Sequence, residues 1–517
     1  MRSGLTAGGR KAWWASLVVA LAVTTVSSGV GPASPAPGPA RIVLSNDRDI
    51  SNVDPIAISA PADYSVAHLV YSALVRVKPG TSTLEPDLAE KWEISPDGLV
   101  YTFHLRKGVK WQQNLGEVTA DDVVAHFQRA ASKESGSVFF NDLAAVKRID
   151  APDRYTVRFT LDRPSPAFLT SVIAYRPGLI VPKKIIETAP GSLKTTPVGS
   201  GPYAFSAWHQ GADVILKANP DYYGGAPSIG EVDIKVVKDD QTALLALRRG
   251  EINGRYLQIP EVQRAALASP DVRVLRAPMP RTYYLAFNTT RPPFNDVRVR
   301  QALWYGLNRQ GIVGRMFQGF GTFSDTMVPP TVVGSLPGIM YNYNPDRAKQ
   351  LLKDAGFADG LPGKTFSLLA IGLQDQTDIA AVTQDNWRAL GVNVNIEILD
   401  TPVFLQRVRT GNFDIMDFAL LRTEPEQFLV DFFHSKNIGT TNFSRYDKAD
   451  GLLDAMRFAG DAKQRIQGAQ AVQRQLQRDA PQIPVLNPTL MLAVTPKVAG
   501  ARLELLVYNV WQWSLPK

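Results

Sequence analysis

The chain has 517 residues, of which 45% are hydrophobic, and it carries no cysteine and a formal net charge of +8 at pH 7. This apolar share is ordinary for globular cores, so the composition excludes a disordered chain, and the length corresponds to several domains. Without cysteine the protein has neither disulfide bonds nor a thiol for lipid attachment. The mild basic excess is spread along the chain, which weighs against nucleic-acid binding.

The N-terminal region has the layout of a secretory signal peptide. Three basic residues precede a run of apolar and small residues over 12–26, and cleavage is expected near Ser28. A membrane-spanning helix needs about 20 strongly apolar residues, so a retained anchor is the weaker alternative. We therefore expect a signal peptide over 1–28, a Pro-rich tether over 29–40, and a folded protein that is exported.

Two stretches predict β-hairpins of one antiparallel sheet. Residues 91–105 contain two short strands around a Pro-Asp-Gly turn at 96–98, with alternate apolar residues in the second strand. Residues 147–161 repeat this pattern with a turn predicted at 152–153. Neither hairpin implies any chemistry.

Several helices are predicted from their capping residues and stop signals. They are 119–130, with Thr119 and Asp122 as a near capping box; a helix capped by Asn295; one opened by Asn344 and Pro345 and ended by Gly356; and one from Asp461 to Leu476.

Strand and helix patterns alternate between residues 364 and 421, which predicts an α/β unit. The predicted strands are 366–371, 392–398 and 413–421, and the predicted helices are 377–390 and 401–411. Ligands of open α/β sheets bind beyond the carboxyl ends of the strands, so the turn after Leu421 is a candidate site.

The search for catalytic motifs is negative. The chain has no GxSxG elbow, no HExxH and no Walker A pattern. Its five histidines are far apart, without metal-ligand spacing. We expect no catalytic residues, no metal site and no cofactor. A secreted hydrolase remains an alternative, because Ser, His and Asp can converge from distant positions.

Five motifs together give the chain a clear resemblance to a known family. It resembles the peptide, nickel and opine class of periplasmic solute-binding proteins, which serve ABC importers. The motifs are LAEKWEISPDGLVYTFHLRKGVKW at 88–111, GSGPYAF at 199–205, ANPDYYGGAP at 218–227, FNTTRPPFNDVRVRQAL at 287–303 and YNPDRAKQLLKDAGF at 343–357.

The resemblance implies an α/β fold, that of a two-lobed periplasmic binding protein of the type II, large peptide-binding class, with an extra inserted α+β domain. The implied parts are lobe I over 41–75, 195–275 and 484–517, the inserted domain over 76–194, and lobe II over 276–483.

The implied function is the capture of short peptides or peptide-like solutes in the periplasm by closure of the two lobes. The cargo would pass to an ABC permease of the inner membrane with its ATPase subunits, and the receptor itself would be a monomer and not an enzyme. The alternative within the same scaffold is a non-peptide solute, such as a nickel chelate, an opine or an anionic sugar conjugate.

The resemblance also implies site residues around the turn after Leu421. Peptide-binding members use an aspartate after a lobe strand to pair with the peptide ammonium, and Leu421 stands at that position when Glu424 and Pro425 are aligned with the family motif. Because a buried ammonium without a counter-charge is costly, either Glu424 or Asp417 supplies the charge, or the ligand lacks the ammonium.

The other expected contacts each have a structural alternative. Arg422 would bind a carboxylate or phosphate, or is a solvated loop arginine. Phe418 would be a pocket aromatic, or packs in the core. Tyr508 and Trp511, in the returning segment of the first lobe, would contact the ligand, or pack in the core. The complete expected ligand-binding set is Tyr64, Phe418, Leu421, Arg422, Thr423, Glu424, Tyr508 and Trp511.

Overall fold

The structure is a computed structural model that describes residues 40–58, 60–78, 83–165, 167–336, 338, 341–361, 363–505 and 507–516. The predicted signal peptide lies outside these ranges, as does the predicted tether except for its last residue. Within them, every helix is too short or too polar to cross a membrane.

The strands follow one another along the chain in a mixed α/β order. They are β1 (Arg41–Asn46), β2 (Val75–Val77), β3 (Leu84–Pro86), β4 (Ala89–Ile94), β5 (Val100–Leu105), β6 (Val146–Asp153), β7 (Thr156–Leu161), β8 (Tyr203–His209), β9 (Asp213–Ala218), β10 (Glu231–Val236), β11 (Gly254–Leu257), β12 (Arg273–Pro278), β13 (Arg281–Phe287), β14 (Gly321–Phe323), β15 (Thr365–Ile371), β16 (Asn393–Leu399), β17 (Ile415–Leu421) and β18 (Gln482–Val494).

The helices lie between these strands. They are α1 (Pro61–Val70), α2 (Ala120–Ala130), α3 (Lys183–Thr188), α4 (Asp240–Arg249), α5 (Pro260–Leu267), α6 (Val297–Tyr305), α7 (Arg309–Arg315), α8 (Pro345–Asp354), α9 (Gln374–Arg388), α10 (Thr401–Thr410), α11 (Pro425–Phe433), α12 (Asp450–Arg457) and α13 (Ala462–Asp479).

Strand β18 is shared by two halves of the molecule. Among the described residues, twelve strands form one continuous hydrogen-bonded system in which β18 lies between β13 and β11. The start of β18 pairs with β13, and residues 489–494 pair with β12. We call β1, β8–β12 and residues 489–494 the first lobe, and β13–β17 with residues 482–486 the second lobe.

Two adjacent segments carry the chain between the lobes. One joins β12 to β13 at residues 279–280, and the other is the middle of β18. They are tied together where the Met279 N–H donates to the Pro488 carbonyl at 3.0 Å. We call this pair of segments the hinge. The implied limits at 275/276 and 483/484 fall inside β12 and β18, and the domain limits stay a prediction.

The two predicted hairpins form one separate antiparallel sheet in the order β4, β5, β7, β6. The alternation holds in three dimensions, because Tyr101, Phe103 and Leu105 are buried in a common core. The second turn is two positions later than predicted, since β6 continues to Asp153 and the turn residues are 154–155.

The predicted α/β unit is confirmed. Strand β15 runs parallel to both β16 and β17, as strands joined by crossover helices do. The helix predicted at 377–390 begins earlier, at Gln374, and ends at Arg388.

The capping predictions are confirmed for α2, α8 and α13, where Asp122, Asn344 and Asp461 accept backbone or side-chain hydrogen bonds in the first turn. The prediction for α6 was wrong by one residue. Asp296, rather than Asn295, caps that helix by accepting from the Arg298 N–H at 2.8 Å. Both residue types suit this position, so sequence alone did not separate them.

Buried tryptophans fix the core of the second lobe. The Trp387 indole N–H donates to the Leu303 carbonyl at 2.9 Å, and its ring lies 6.1 Å from that of Phe287. Trp304 stacks on Tyr341 at 4.2 Å. This core is therefore built on aromatic packing, and the Trp387 indole N–H has a hydrogen-bond acceptor within it.

Replacing Trp387 by alanine should lower the free energy of unfolding by about 3–5 kcal/mol, because the change opens a cavity and removes a buried hydrogen bond. Urea unfolding followed by circular dichroism measures the loss. The control is Ile398→Ala on β16, where 60% of the residue is exposed. It should change stability by less than about 1 kcal/mol, and an equal loss in both variants would contradict this account of the core.

Candidate functional site

A cavity of about 680 Å³ lies where the two lobes meet the hinge. The first lobe and its C-terminal segment contribute Tyr64, Pro278 and Trp511, the hinge contributes Pro280, and the second lobe contributes Val332 and other residues. A small-molecule site typically has a volume of about 300–1,000 Å³ and mostly apolar walls. The volume and position of this cavity fit such a site.

Helix α1 supplies an aromatic wall to the cavity. The helix begins at Pro61, a residue suited to a first helical position. Tyr64 and His68 are four residues apart and so share one face, with ring centroids 5.6 Å apart. The His68 ring lies 5.1 Å from that of Trp511, which comes from the far end of the chain.

Next to this wall, strand β2 presents Arg76 to the cavity within an ion-pair network. The guanidinium donates to Glu85 at 2.8 Å and lies 3.6 Å from Asp87. Burial acts to lower the pKa of Arg76, but these carboxylates outweigh it and the pKa is raised. Asp87 also accepts from the Ala73 N–H at 2.9 Å and from the Tyr223 hydroxyl. The charge of Arg76 is therefore balanced inside the protein.

Glu504 is a cavity residue whose carboxylate is not balanced in this way. Its Oε1 lies 3.5 Å from His68 Nε2, and only 16% of the side chain is exposed. Oε2 is buried, and no donor of the described chain hydrogen-bonds to it. Burial raises the pKa of Glu504 to about 8, and burial lowers the pKa of His68 to about 4. His68 is therefore a neutral neighbour at pH 7.

The turn after β17 brings Thr423 and Glu424 to the cavity from the second lobe. The Arg465 guanidinium donates to the Glu424 carboxylate and also to Glu426, the latter at 2.6 Å through Nη2. Burial raises the pKa of Glu424 against the opposing charge of Arg465. Glu424 therefore reaches the cavity with its charge already paired.

Leu421 lines a smaller cavity beside the main one, together with Tyr64, Tyr175, Arg176 and Leu505. Its side chain packs against the first-lobe core, so the lobes touch at this point. The Arg176 guanidinium lies 5.3 Å from the Tyr64 ring centroid and 5.2 Å from that of Tyr175. The described lining of this smaller cavity therefore places the Arg176 cation, and no carboxylate, near Leu421.

Three further residues considered in the sequence lie away from the main cavity. Phe418 stacks on Tyr284 at 5.3 Å within the second-lobe core. The Tyr508 hydroxyl donates to the Ser45 carbonyl at 2.7 Å inside the first-lobe core. Asp417 is completely buried, and burial raises its pKa well above the usual range.

Arg422 also lies outside the lining of the main cavity. Its guanidinium donates to the neighbouring Leu421 carbonyl at 2.9 Å. Burial raises the pKa of Asp431 to about 7, and the charge of Arg422 opposes that rise. The charge of Arg422 thus acts on a carboxylate of its own lobe.

Of the expected set, the structure brings Tyr64, Thr423, Glu424 and Trp511 together around one cavity. Sequence reasoning missed His68, Arg76, Asp87 and Glu504, which also line it. The helical spacing from Tyr64 was a signal for His68, whereas nothing local marks Glu504. Among the described residues, no three His, Asp or Glu side chains are grouped closely enough to hold a metal ion.

Residues 83–440 match the model of the bacterial extracellular solute-binding proteins, family 5 Middle. The chain belongs to this family. Over 85% of its length it is 30% identical to di/tripeptide-binding protein 2 of Pseudomonas aeruginosa (strain UCBPP-PA14), covering 87% of that protein. The family consists of solute-binding proteins rather than enzymes.

Solved structures of similar proteins share the fold. HbpA2 from Haemophilus parasuis is 28% identical with a TM-score of 0.83, over 92% of this chain and 100% of that one. MoaA from A. tumefacien R10, in complex with mannopinic acid, is 29% identical with a TM-score of 0.79, over 92% and 100%. The two-lobed architecture of the type II binding proteins, implied by the sequence motifs, is thereby confirmed.

Glu504 should make the ligand-free solute-binding protein lose stability as pH rises from 6 to 8. The pKa of Glu504 is about 8 in the folded state, whereas the ordinary pKa of a glutamate is 4.5. Between pH 6 and pH 8 the folded state therefore holds a proton on Glu504 that the unfolded state has already released, and this difference lowers the stability as pH rises. Glu504→Gln should remove about 2 kcal/mol of that loss. Urea unfolding at several pH values measures the slope, and an unchanged slope would show that Glu504 is ionised when folded.

Proposed function

We propose that this solute-binding protein captures a short peptide or peptide-like solute in the periplasm and delivers it to an ABC permease. The observation that carries the proposal is the cavity itself, which takes residues from both lobes and from the hinge. A ligand in that position contacts both lobes at once. Binding would therefore be coupled to the relative position of the lobes.

The coupling has a simple thermodynamic basis. A ligand shifts an open–closed equilibrium by the difference between its affinities for the two states. Among the described residues, two adjacent chain segments, residues 279–280 and the middle of β18, carry the chain between the lobes at the hinge, so rotation there would leave both cores intact. In this mechanism no covalent bond forms or breaks.

The chemistry of the walls supports a peptide-like ligand. Tyr64, His68 and Trp511 offer aromatic surface, and Pro278 and Pro280 offer apolar surface. The charged residues lining the cavity are Arg76, Lys78, Asp87, Glu424 and Glu504, and Glu424 comes from the second lobe. Charged groups from both lobes around an otherwise apolar cavity suit a compact solute with polar ends. The name of the Pseudomonas relative, a di/tripeptide-binding protein, agrees with this class of ligand.

We extend the proposal to the partners and location that the sequence motifs imply. The closed receptor would dock on a permease of the inner membrane, and the ATPase subunits of that importer would drive release and uptake. The receptor would act as a monomer without a cofactor. Export through the predicted signal peptide would place it in the periplasm.

A second candidate is a non-peptide solute in the same cavity, such as a nickel chelate, an opine or an anionic sugar conjugate. Leu421 favours this second candidate. The described residues that line the smaller cavity with Leu421 include the cation of Arg176 but no carboxylate that could pair with a peptide ammonium. The mannopinic acid complex of MoaA provides a structural precedent for an opine on this scaffold.

A thermal-shift screen separates the two candidates. Dipeptides and tripeptides should raise the melting temperature of the ligand-free protein, since a ligand at 100 times its Kd adds about 2.7 kcal/mol of stability. The same screen tests mannopinic acid and a nickel–histidine chelate as the non-peptide ligands. Native mass spectrometry of freshly purified protein checks the result independently. Stabilisation by the opine or the chelate, but by no peptide, would contradict the peptide proposal.

Lobe closure can be measured directly by energy transfer, because the chain contains no native cysteine. Glu251→Cys and Lys349→Cys place labels at exposed positions beside the first and second lobes. A stabilising peptide should raise transfer between the two dyes. A control pair within the second lobe, Lys349→Cys with Asp385→Cys, should not respond. Tight binding without any change in the first pair would contradict closure.

A further inference from the structure

We propose, as a refinement that rests on the proposed function, that Glu504 is the specificity-determining anion that receives a protonated amine of the ligand. The amine would enter against the wall formed by Tyr64, His68 and Trp511, which we call the amine corner. Glu504 lies outside both the family-matched residues and the turn after β17. The charge absent at Leu421 would therefore be supplied from the opposite lobe.

The first argument is the open acceptor capacity of Glu504. An ionised carboxylate accepts several hydrogen bonds. Within the described chain no donor bonds to Oε2, and the contact of Oε1 is His68 Nε2 at 3.5 Å, which is too long for a good hydrogen bond. A buried carboxylate in this condition is costly unless a partner arrives. A ligand amine provides that partner.

The second argument is that the other carboxylates near the cavity are already occupied. Asp87 accepts from the Ala73 N–H and the Tyr223 hydroxyl, and it forms an ion pair with Arg76. Glu424 is held by Arg465. Asp417, the remaining sequence-based alternative, is completely buried away from the cavity. Among the described acidic residues that line the cavity, Glu504 is thus the one whose carboxylate can still accept hydrogen bonds from a ligand.

The third argument is the charge balance around Glu504. The titratable and charged groups facing it are Tyr64 and His68 on α1, Arg76 on β2, Glu85 on β3 and Tyr256 on β11. His68 is neutral and Arg76 is matched by Glu85 and Asp87. Ionised Glu504 therefore leaves this corner with an uncompensated negative charge.

The aromatic rings strengthen the case for a cation. Ring faces attract cations within about 6 Å of the centroid, and the Arg76 guanidinium already lies 5.9 Å from the Trp511 ring. The loop holding Glu504 is fixed, because the Tyr256 hydroxyl donates to the Glu504 carbonyl at 2.7 Å. The carboxylate is thus preorganised beside the rings.

Binding of an amine has a measurable protonic signature. With a pKa of about 8, Glu504 is mostly protonated in the ligand-free protein at pH 7. Pairing with a ligand ammonium favours the ionised form, so the proton leaves to the buffer. The affinity for amines should therefore rise from pH 6 to about pH 7.5, below the pKa of about 8 of a peptide amino group.

The experiment compares one tight-binding dipeptide with its N-acetylated form by calorimetry. The wild type should bind the free amine at least tenfold more tightly and release close to one proton at pH 7, measured in buffers of different ionisation enthalpy. Glu504→Gln should lose this preference and the proton release while still binding the acetylated peptide. Glu187→Gln, an exposed carboxylate outside the cavity, should behave as the wild type.

A second variant tests the rival position. Leu421→Asp should not raise the affinity for the free amine if Glu504 receives it. A tenfold gain in Leu421→Asp together with an unchanged preference in Glu504→Gln would overturn the proposal and place the amine at the turn after β17. Circular dichroism and melting temperature confirm that each variant is folded.

Failure of this inference is distinguishable from failure of the proposed function. If the wild type binds peptides but Glu504→Gln still prefers the free amine, the role of Glu504 is wrong and the proposal of peptide capture stands. If the wild type binds no peptide, the proposed function is wrong, and phenethylamine against N-acetylphenethylamine then tests the amine corner. Equal binding of these two probes, or binding of neither, would overturn the role of Glu504.

Discussion

The constraint on which the rest of this structure depends is that a single strand, β18, belongs to both lobes at once. Its first residues pair with β13 and its last with β11 and β12. The two lobe cores are therefore separate hydrophobic clusters joined through a narrow pair of backbone segments. Such a connection keeps the lobes registered while allowing them to rotate, and it places a cavity beside the hinge.

The electrostatics of the cavity follow from which charges are paired before a ligand arrives. Arg76 is balanced by Glu85 and Asp87, and Glu424 by Arg465. Glu504 is different, since its neighbour His68 is held neutral by burial. Recognition in such a site depends less on the number of charged residues than on the one whose partner is missing, because only that group gains fully from a ligand charge.

Much of the fold could be predicted locally. Alternating apolar residues predicted the hairpins and the α/β unit, and polar caps predicted the starts of α2, α8 and α13. An error came where two neighbouring residues were equally suited to cap a helix, as with Asn295 and Asp296. No local pattern marked β18 as a shared strand, because its role is defined by partners about 200 residues away. For the site, the rule for strand ends predicted the turn after β17, and the family resemblance predicted Thr423, Glu424, Tyr64 and Trp511.

The sequence by itself determined the family, the α/β class and the approximate bounds of the hairpins, the capped helices and the α/β unit, because these depend on periodicity, caps and motifs within short windows. Only the tertiary structure decided that Phe418 and Tyr508 pack in cores while His68, Arg76 and Glu504 face the cavity. The physical reason is that burial and ion pairing are properties of assembled segments. His68 and Arg76 become neighbours of Trp511 only once the chain has folded.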